Sequence, residues 1–318
     1  MRHERFGQEL LAVIGPERCR AHVSLAELTT FGVGGPAEWL VTVRSVSELA
    51  AVIRLAREGG APVSVLGGGS NVLVPDEGVR GVVLRLDLRE MSQPAPDRVR
   101  ADAGVTMNGL VRWTIGRGLA GLEAWAGTPG TVGGAIYGNA HFGGANIGDL
   151  VRQVALVSLG GEVVEAAARD LGFAYDTSRL QRTREVVVWA EFGVAAGDPA
   201  TLRQTARASL AFRKRTQPLA LASAGCVFQN PDPSRDRLPA GVPASAGALV
   251  DLAGLKGARE GGAQISSTHA NFIVNHGTAT ARDIRTLIET ARRAVRDRFG
   301  IELRNEVVML GDDPPIPQ

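Results

Sequence analysis

AGTPGTVGGAIYGNAHFGGANIGD, residues 126–149, is the stretch around which the rest of this chain is organised. Gly127, Gly130, Gly133, Gly134, Gly138, Gly143, Gly144 and Gly148 fall within it, and no Asp, Glu, Lys or Arg appears before Asp149. Glycine at this density weakens any helix or strand, so the backbone must gain something in return. The gain is close approach: without Cβ atoms, successive N–H groups can turn onto a bound anion such as a pyrophosphate. Pro129 fixes the entry, and the apolar run Val132–Ile136 anchors the segment in a core. A purely structural glycine loop has the same composition, so this stretch alone leaves both readings open.

A second cluster upstream favours the ligand. Val63–Leu66 reads as a short buried strand that empties into Gly67-Gly68-Gly69-Ser70-Asn71, and the apolar run Val72–Val74 follows. Strand, glycine turn, strand presents backbone donors to phosphate. Neither cluster spells the dinucleotide fingerprint G-x-G-x-x-G opening a helix, nor the phosphate loop G-x-x-x-x-G-K-[ST].

The composition narrows the setting. With 318 residues, 44% hydrophobic and 21% charged, the chain has room for two or three domains and suits an ordinary globular protein. A formal charge of +2 gives no general affinity for nucleic acid. Cys19 and Cys226 are the only cysteines, so no disulfide framework is implied and a reducing compartment fits. No signal-like h-region opens the chain and no apolar run approaches a membrane span, which points to the cytoplasm. His3, His22, His141, His269 and His276 show no ligand spacing with one another or with the cysteines, so no metal is expected.

Caps and periodicity supply the elements. Ser45 with Glu48 forms a capping box for a helix ended by Gly59-Gly60, placed between a strand through Trp39–Val43 and the strand Val63–Leu66. Val82–Leu86 and Val99–Ala103 read as strands, and Thr106 caps a helix to about Arg117. Val154–Leu159 and Val163–Ala166 straddle Gly160-Gly161 as a hairpin, and Val186–Phe192 is a strongly apolar strand. Asp198 caps a helix with Pro199 at its first position, closed by Arg213-Lys214-Arg215. That basic run is either a solvated helix end or a phosphate clamp. Strands over Ala224–Phe228 and Asn271–Val274, a short helix Ser245–Ala253, a long helix from Thr280 to Gly300, a strand Ile301–Leu310 and a frayed tail from Asp312 complete an α+β pattern.

At this point the motifs carry a resemblance. LGGGSNVLV (66–74) with GTPGTVGGAIYGNA (127–140) resembles the flavin-binding half of the UDP-N-acetylenolpyruvoylglucosamine reductase (MurB) family. TTFGVGGPAEWLV (29–41), SAGCVFQNP (223–231), GAQISSTHANFIVN (262–275) and LRNEVVMLG (303–311) are similar to its remaining motifs, in the family's order. The resemblance implies an FAD-binding fold of the vanillyl-alcohol oxidase type in two subdomains, 1–85 and 86–207, with a C-terminal α+β substrate-binding domain, 208–318. It implies an oxidoreductase holding FAD non-covalently, taking electrons from NADPH and reducing UDP-N-acetylenolpyruvoylglucosamine to UDP-N-acetylmuramate in peptidoglycan synthesis, with no nucleic-acid or membrane partner and a monomeric state. Tyr137 and Tyr175 are the only tyrosines, and the compact stretch from Ala195 to Arg213 suits the class lacking an extra tyrosine-bearing loop. Two other readings stand beside it: a hydroxy-acid or alcohol oxidase of the same cofactor fold, and an impaired paralogue that only binds a UDP-sugar.

Saturating a carbon–carbon double bond needs a hydride, a proton for the neighbouring carbon, and stabilisation of charge on the substrate carboxylate. By resemblance these last two roles fall to a serine in GS-x-F, a glutamate near the end and an arginine in Y-R-x-S. Cys226 stands at the serine position, a protic substitute with a reference pKa of ~8.5; a lone buried cysteine is otherwise structural. Glu306, on one strand face with Val308 and Leu310, is the matching acid. Phe173–Ser178 matches the arginine motif except that Asp176 occupies the arginine position, so that role is not carried over and Arg179, the nearest cation, is the candidate replacement. Gly67, Gly68, Gly69, Ser70, Asn71, Thr128, Pro129, Gly130, Thr131, Gly133 and Gly134 are expected to hold FAD. Tyr175, Arg213, Arg215 and Asn230 are expected to hold substrate.

Overall fold

The computed structural model describes residues 2–239 and 241–311, with the backbone alone for residues 2–4. The tail expected to fray from Asp312 lies outside the described residues. Two sheets carry the first part of the chain. One is ordered Cys19–Ser24, Pro36–Val43, Val79–Leu86, Val63–Val65; its first pair is antiparallel and the others are parallel. The strands flanking the helix Val46–Gly59 are therefore not neighbours, because Val79–Leu86 inserts between them. The second sheet is antiparallel, ordered Val163–Ala167, Val151–Val157, Val186–Gly193, Arg98–Asp102, Met91–Ala95.

The local signals behave as their chemistry requires. Ser45 accepts from the Glu48 amide, and Gly60 closes that helix at φ 67°. Thr106, Asp198 and Thr280 cap the helices Met107–Gly116, Pro199–Thr216 and Ala281–Phe299. The last helix buries Ile284, Leu287, Ile288, Ala291 and Val295 on one face. Each large aliphatic among them is worth about 1.5–3 kcal/mol of burial. One helix escapes the periodicity argument altogether: Arg2–Ile14, which buries Phe6, Leu10 and Ile14 beneath the first sheet.

The cores interlock across the chain. The core under the first sheet takes in Ala155, Val157, Val186 and Val188 from the second. The C-terminal core around Ala281–Phe299 takes in Phe31, Val33 and Leu73 from the beginning. Two expected strands are corrected here. Ala224–Phe228 makes only isolated bridges, Cys226 to Phe272 and Phe228 to Asn305. Of Ile301–Leu310 only Val308–Met309 forms a strand, parallel to Val72–Leu73, beside the isolated bridge at Asn305. Glu306 thus lies ahead of a strand rather than on its face, with its N–H donating to Val227 O at 2.8 Å.

Candidate active site

The two glycine clusters meet. A Cβ on Gly68 would sit 2.6 Å from Gly130 Cα, and one on Gly67 would sit 2.7 Å from Thr131 Oγ1. Gly69 has φ +64°, and a side chain there would run into Leu28 O at 2.0 Å. Thr30 N binds Gly69 O at 2.9 Å, so the upstream cluster is pinned through a carbonyl. Among the described residues, the backbone N–H groups of Gly67 through Asn71 donate to nothing. A run of unsatisfied donors on a side-chain-free surface is what an anionic cofactor requires.

The downstream stretch is less of a loop than its glycines suggest. After Thr128 and Pro129 turn the chain, Thr131 caps a short helix, Val132–Tyr137, whose Val132, Ala135 and Ile136 are buried. Gly133 lets that helix pack on Ala103, its N–H bound to Ala103 O at 2.9 Å. From the helix Pro199–Thr216, Arg213 reaches back to Thr128 Oγ1 at 2.8 Å and stacks 3.8 Å over the Phe142 ring. Arg213 is buried, its Nε has no partner among the described residues, and burial pushes its pKa down to about 10. Arg215 is exposed, so only one member of the basic run turns inward. The residues present fit FAD: an open row of amides, a cradle that any Cβ would fill, and an orphaned guanidinium nitrogen nearby.

A second group of residues comes together from distant segments. Asn71 Nδ2 donates to Glu306 O at 3.1 Å, tying the end of the glycine cluster to the acid. The segment Ala174–Thr177 is a tight turn, closed by reciprocal bonds of 3.1 Å between Ala174 and Thr177. Asp176 occupies its positive-φ position at 53°, which aspartate tolerates. His141, just past the glycine helix, places Nδ1 2.8 Å from Asp176 Oδ1. Ligand atoms of His141, Asp176 and Glu306 all lie within 4.8 Å of one another. Tyr175 Oη accepts from Asn230 N and Nδ2 at 3.4 and 3.3 Å, and Asn230 Oδ1 accepts from Ala246 N at 3.0 Å.

Burial, then the nearby Asp176, pushes the Glu306 carboxyl well above the usual carboxylate range. Burial also raises the Cys226 thiol, with Glu306 and Asp176 adding to it against opposing effects of Asn271 and Arg213. Tyr175 is pushed up to about 12 by burial and Asp176. Glu306 and Cys226 are thus held toward their protonated forms and Tyr175 keeps its phenol proton, so a carboxyl, a thiol and a phenol gather beside Asp176. Such an arrangement can hydrogen-bond a carboxylate and release a proton to carbon.

Arg179 is not part of it. Its guanidinium is held by Glu185 at 3.0 and 3.1 Å and by Asp170 O at 3.0 Å, so the expected replacement for the arginine is corrected. The residue that sequence reading passed over is His141. Its signal lay in the anion at position 176, since a buried aspartate requires a partner. The sequence expectation of no metal rested on spacing alone. The fold does gather His141, Asp176 and Glu306; Asp176 Oδ1 pairs with His141 Nδ1, while its buried Oδ2 has no partner among the described residues.

An amide-rich glycine cradle beside a cluster of proton donors defines a flavin-dependent oxidoreductase, and comparison with known proteins agrees. Residues 37–167 match the family model described as an FAD binding domain. Residues 217–310 match that of the UDP-N-acetylenolpyruvoylglucosamine reductase C-terminal domain. A UDP-N-acetylenolpyruvoylglucosamine reductase of Symbiobacterium thermophilum is 40% identical over 95% of each chain. Another, from Synechococcus sp. WH7803, is 42% identical over 92% of this chain and 93% of its own. The crystal structure of the Thermus caldophilus enzyme superposes with a TM-score of 0.77 at 34% identity, covering 92% of this chain and 98% of that one. The chain belongs to the UDP-N-acetylenolpyruvoylglucosamine reductase (MurB) family.

Proposed function

We propose that this protein reduces the enolpyruvyl ether of UDP-N-acetylenolpyruvoylglucosamine to UDP-N-acetylmuramate, using FAD and NADPH, in the synthesis of peptidoglycan that sets cell shape and permits division. The hydrogen bond from Asn71 to the Glu306 backbone carbonyl carries the reading, because it joins the amide cradle to the segment that bears the acid. Gly67–Asn71, Thr128–Thr131, Gly133 and Gly134 would hold the flavin. When bound and reduced, it supplies the hydride. Cys226 gives its thiol proton to the adjacent carbon. Glu306, held toward its neutral form by burial, donates its O–H to the substrate carboxylate as negative charge gathers there. Arg213, Tyr175 and Asn230 line the substrate side, and Arg215 approaches from solvent.

The division into residues 1–85, 86–207 and 208–318 belongs to this reading, as does the class without the tyrosine loop. The uninterrupted helix Pro199–Thr216 supports the latter. Both substrates are phosphorylated and do not cross a bilayer, which puts the enzyme in the cytoplasm. We assign it as a monomer with no nucleic-acid or membrane partner. No helix among the described residues is long and apolar enough to cross a membrane.

The test is anaerobic. Holoprotein reduced with NADPH is mixed with the enolpyruvyl sugar nucleotide, and return of the oxidised flavin spectrum is expected within the mixing experiment. A flavin that stays reduced would refute the activity. Asp176 in the arginine position favours one other reading, a sugar-nucleotide binder with impaired turnover, and persistent reduction with tight substrate binding would select it.

A further inference from the structure

The reaction concentrates negative charge on the substrate carboxylate, yet the motif position that should answer it holds an anion. Arg179 is engaged with Glu185, Arg215 is exposed, and Arg213, its Nε free, is tied to Thr128 and Phe142 of the glycine segment rather than to Asp176 or Glu306. One source of positive charge remains inside the cluster. We propose that His141, held by Asp176, is the catalytic cation of this protein and binds the carboxylate of the enolpyruvyl group through Nε2–H. The inference rests on the reductase reading above and deepens it.

The geometry is that of an oriented imidazole. Asp176 Oδ1 accepts from His141 Nδ1 at 2.8 Å, which fixes the ring and turns Nε2 away from the carboxylate. Among the described residues Nε2 has no partner, and the His141 side chain is 30% exposed while that of Asp176 is 8% exposed. The anion is thus buried behind the ring, and the ring's free edge is open. Its support is rigid. Gln181 Nε2 donates to Asp176 O at 2.9 Å, and Asn139 Nδ2 donates to Ala174 O at 2.7 Å. Asn139 belongs to the same short connection as His141, so turn and histidine are braced together. The Tyr175 ring covers one face of the imidazole, centroids 4.9 Å apart.

With a proton on both nitrogens the ring would give the substrate carboxylate a charged partner. The groups around the ring are Asp176 and Tyr175 from the turn, Glu306 from the C-terminal segment, Cys226 ahead of Phe228, and Arg213 over the neighbouring Phe142. Asp176 compensates the imidazolium. When hydride reaches the methylene carbon, the electron pair of the double bond passes to the carboxylate as an enediolate. His141 Nε2–H and the Glu306 O–H hydrogen-bond its oxygens. The Cys226 proton then goes to the α-carbon and the carboxylate reforms, so one hydride and one proton have added across the bond. Solvent returns the thiol proton, and His141 loses none. Asp176 is a positioning residue in this scheme; its side chain touches the ring and not the substrate.

The experiment compares wild type, His141→Gln and Asp176→Asn with two ligands. UDP-N-acetylmuramate carries the carboxylate and UDP-N-acetylglucosamine lacks it. By calorimetry on the oxidised holoprotein, His141→Gln should weaken the first about 10–100-fold, the value of a charge-assisted bond, and leave the second unchanged. Asp176→Asn, nearly isosteric, should weaken UDP-N-acetylmuramate in the same sense and leave UDP-N-acetylglucosamine unchanged, a carboxylate-selective loss that a merely structural role would not produce. In both variants NADPH should reduce the flavin at the wild-type rate, while reoxidation by substrate slows by about 10²–10³-fold. A wild type that reoxidises normally, with a His141→Gln variant matching it in rate and in both affinities, overturns the inference and leaves the reductase intact. A wild type that is never reoxidised overturns the reductase, and loss of carboxylate-selective binding in His141→Gln still upholds the histidine contact. Activity abolished by EDTA and restored by Mn²⁺ would assign the charge to a metal and overturn the imidazolium.

Discussion

Arg213 and Thr128 are joined by a 2.8 Å hydrogen bond that ties the last turn of a solvent-facing helix to the glycine segment. The same guanidinium keeps a buried, unpartnered Nε. Arg213→Ala should therefore weaken UDP-N-acetylmuramate binding by about 10–100-fold, as for a lost charged hydrogen bond, and lower the melting temperature. Arg215→Ala, on the exposed side of the same turn, should change stability by less than about 0.5 kcal/mol. Calorimetry and thermal melts on both variants check the contrast; equal effects would mean that the helix end acts only as a diffuse positive charge.

The glycine contact predicts loss of colour. In Gly68→Ala the new methyl would lie 2.6 Å from Gly130 Cα, backbone against side chain with nothing flexible to yield. That variant should purify without flavin. Gly143→Ala, at φ +61° but with no atom within 4 Å, should stay yellow and lose only about 1 kcal/mol. Flavin released from the wild type into the supernatant by acid would confirm non-covalent attachment, since Gly67–Asn71 and Thr128–Gly134 contain no cysteine or histidine. A yellow pellet would contradict it.

Cys226 should react slowly for a thiol. Burial with Glu306 and Asp176 raises its pKa, so the thiolate is scarce at pH 8 and alkylation should accelerate as pH rises. Cys19, pushed up to about 11 by burial, should be slower than a free thiol too, and a Cys19→Ser background isolates the signal. Cys226→Ser should keep substantial turnover. Cys226→Ala should be reduced by NADPH normally yet lose about 10²–10⁴-fold in reoxidation, the usual cost of a missing general acid. An alanine variant turning over near the wild-type rate would remove Cys226 from proton delivery.

Glu306 makes stability depend on pH in a defined direction. Its folded pKa lies above the unfolded value of ~4.3, so folding favours the protonated form. The stability this contributes is complete below the unfolded value and is lost as pH rises through the folded one. Glu306→Gln, always neutral, should gain in melting temperature relative to wild type from pH 5 to pH 9. A difference that is flat with pH would show that the carboxyl ionises freely in the folded state.

What the sequence disclosed follows the range of the interactions. Caps such as Ser45–Glu48 and Thr280–Asp283 act within three residues and are written locally. The glycine clusters are legible because missing side chains mark close approach even without the partner in view. Ile301–Leu310 looked like a full strand since apolar alternation cannot tell how many residues find a partner. Here only two join a strand. Arg179 was judged by its nearness in sequence, yet Glu185, six residues on, already holds it. Asp176 was visible as a charge in the wrong place; that a histidine from the glycine segment answers it depends on a turn no local pattern specifies.

The pairing of Val308–Met309 with Val72–Leu73, and the bond from Asn71 to Glu306 across 235 residues, also sets an order of assembly. A ribosome delivers both glycine clusters long before it delivers the acid. Closing a loop of that length is slow and comes late relative to local helices and hairpins. An emerging chain can shape the flavin cradle and gather its nearby sheets while the proton-donating half of the site does not yet exist. Competence for chemistry thus arrives only after Glu306 has been made, in one docking step, and a chain stalled before Glu306 would be a cradle without chemistry.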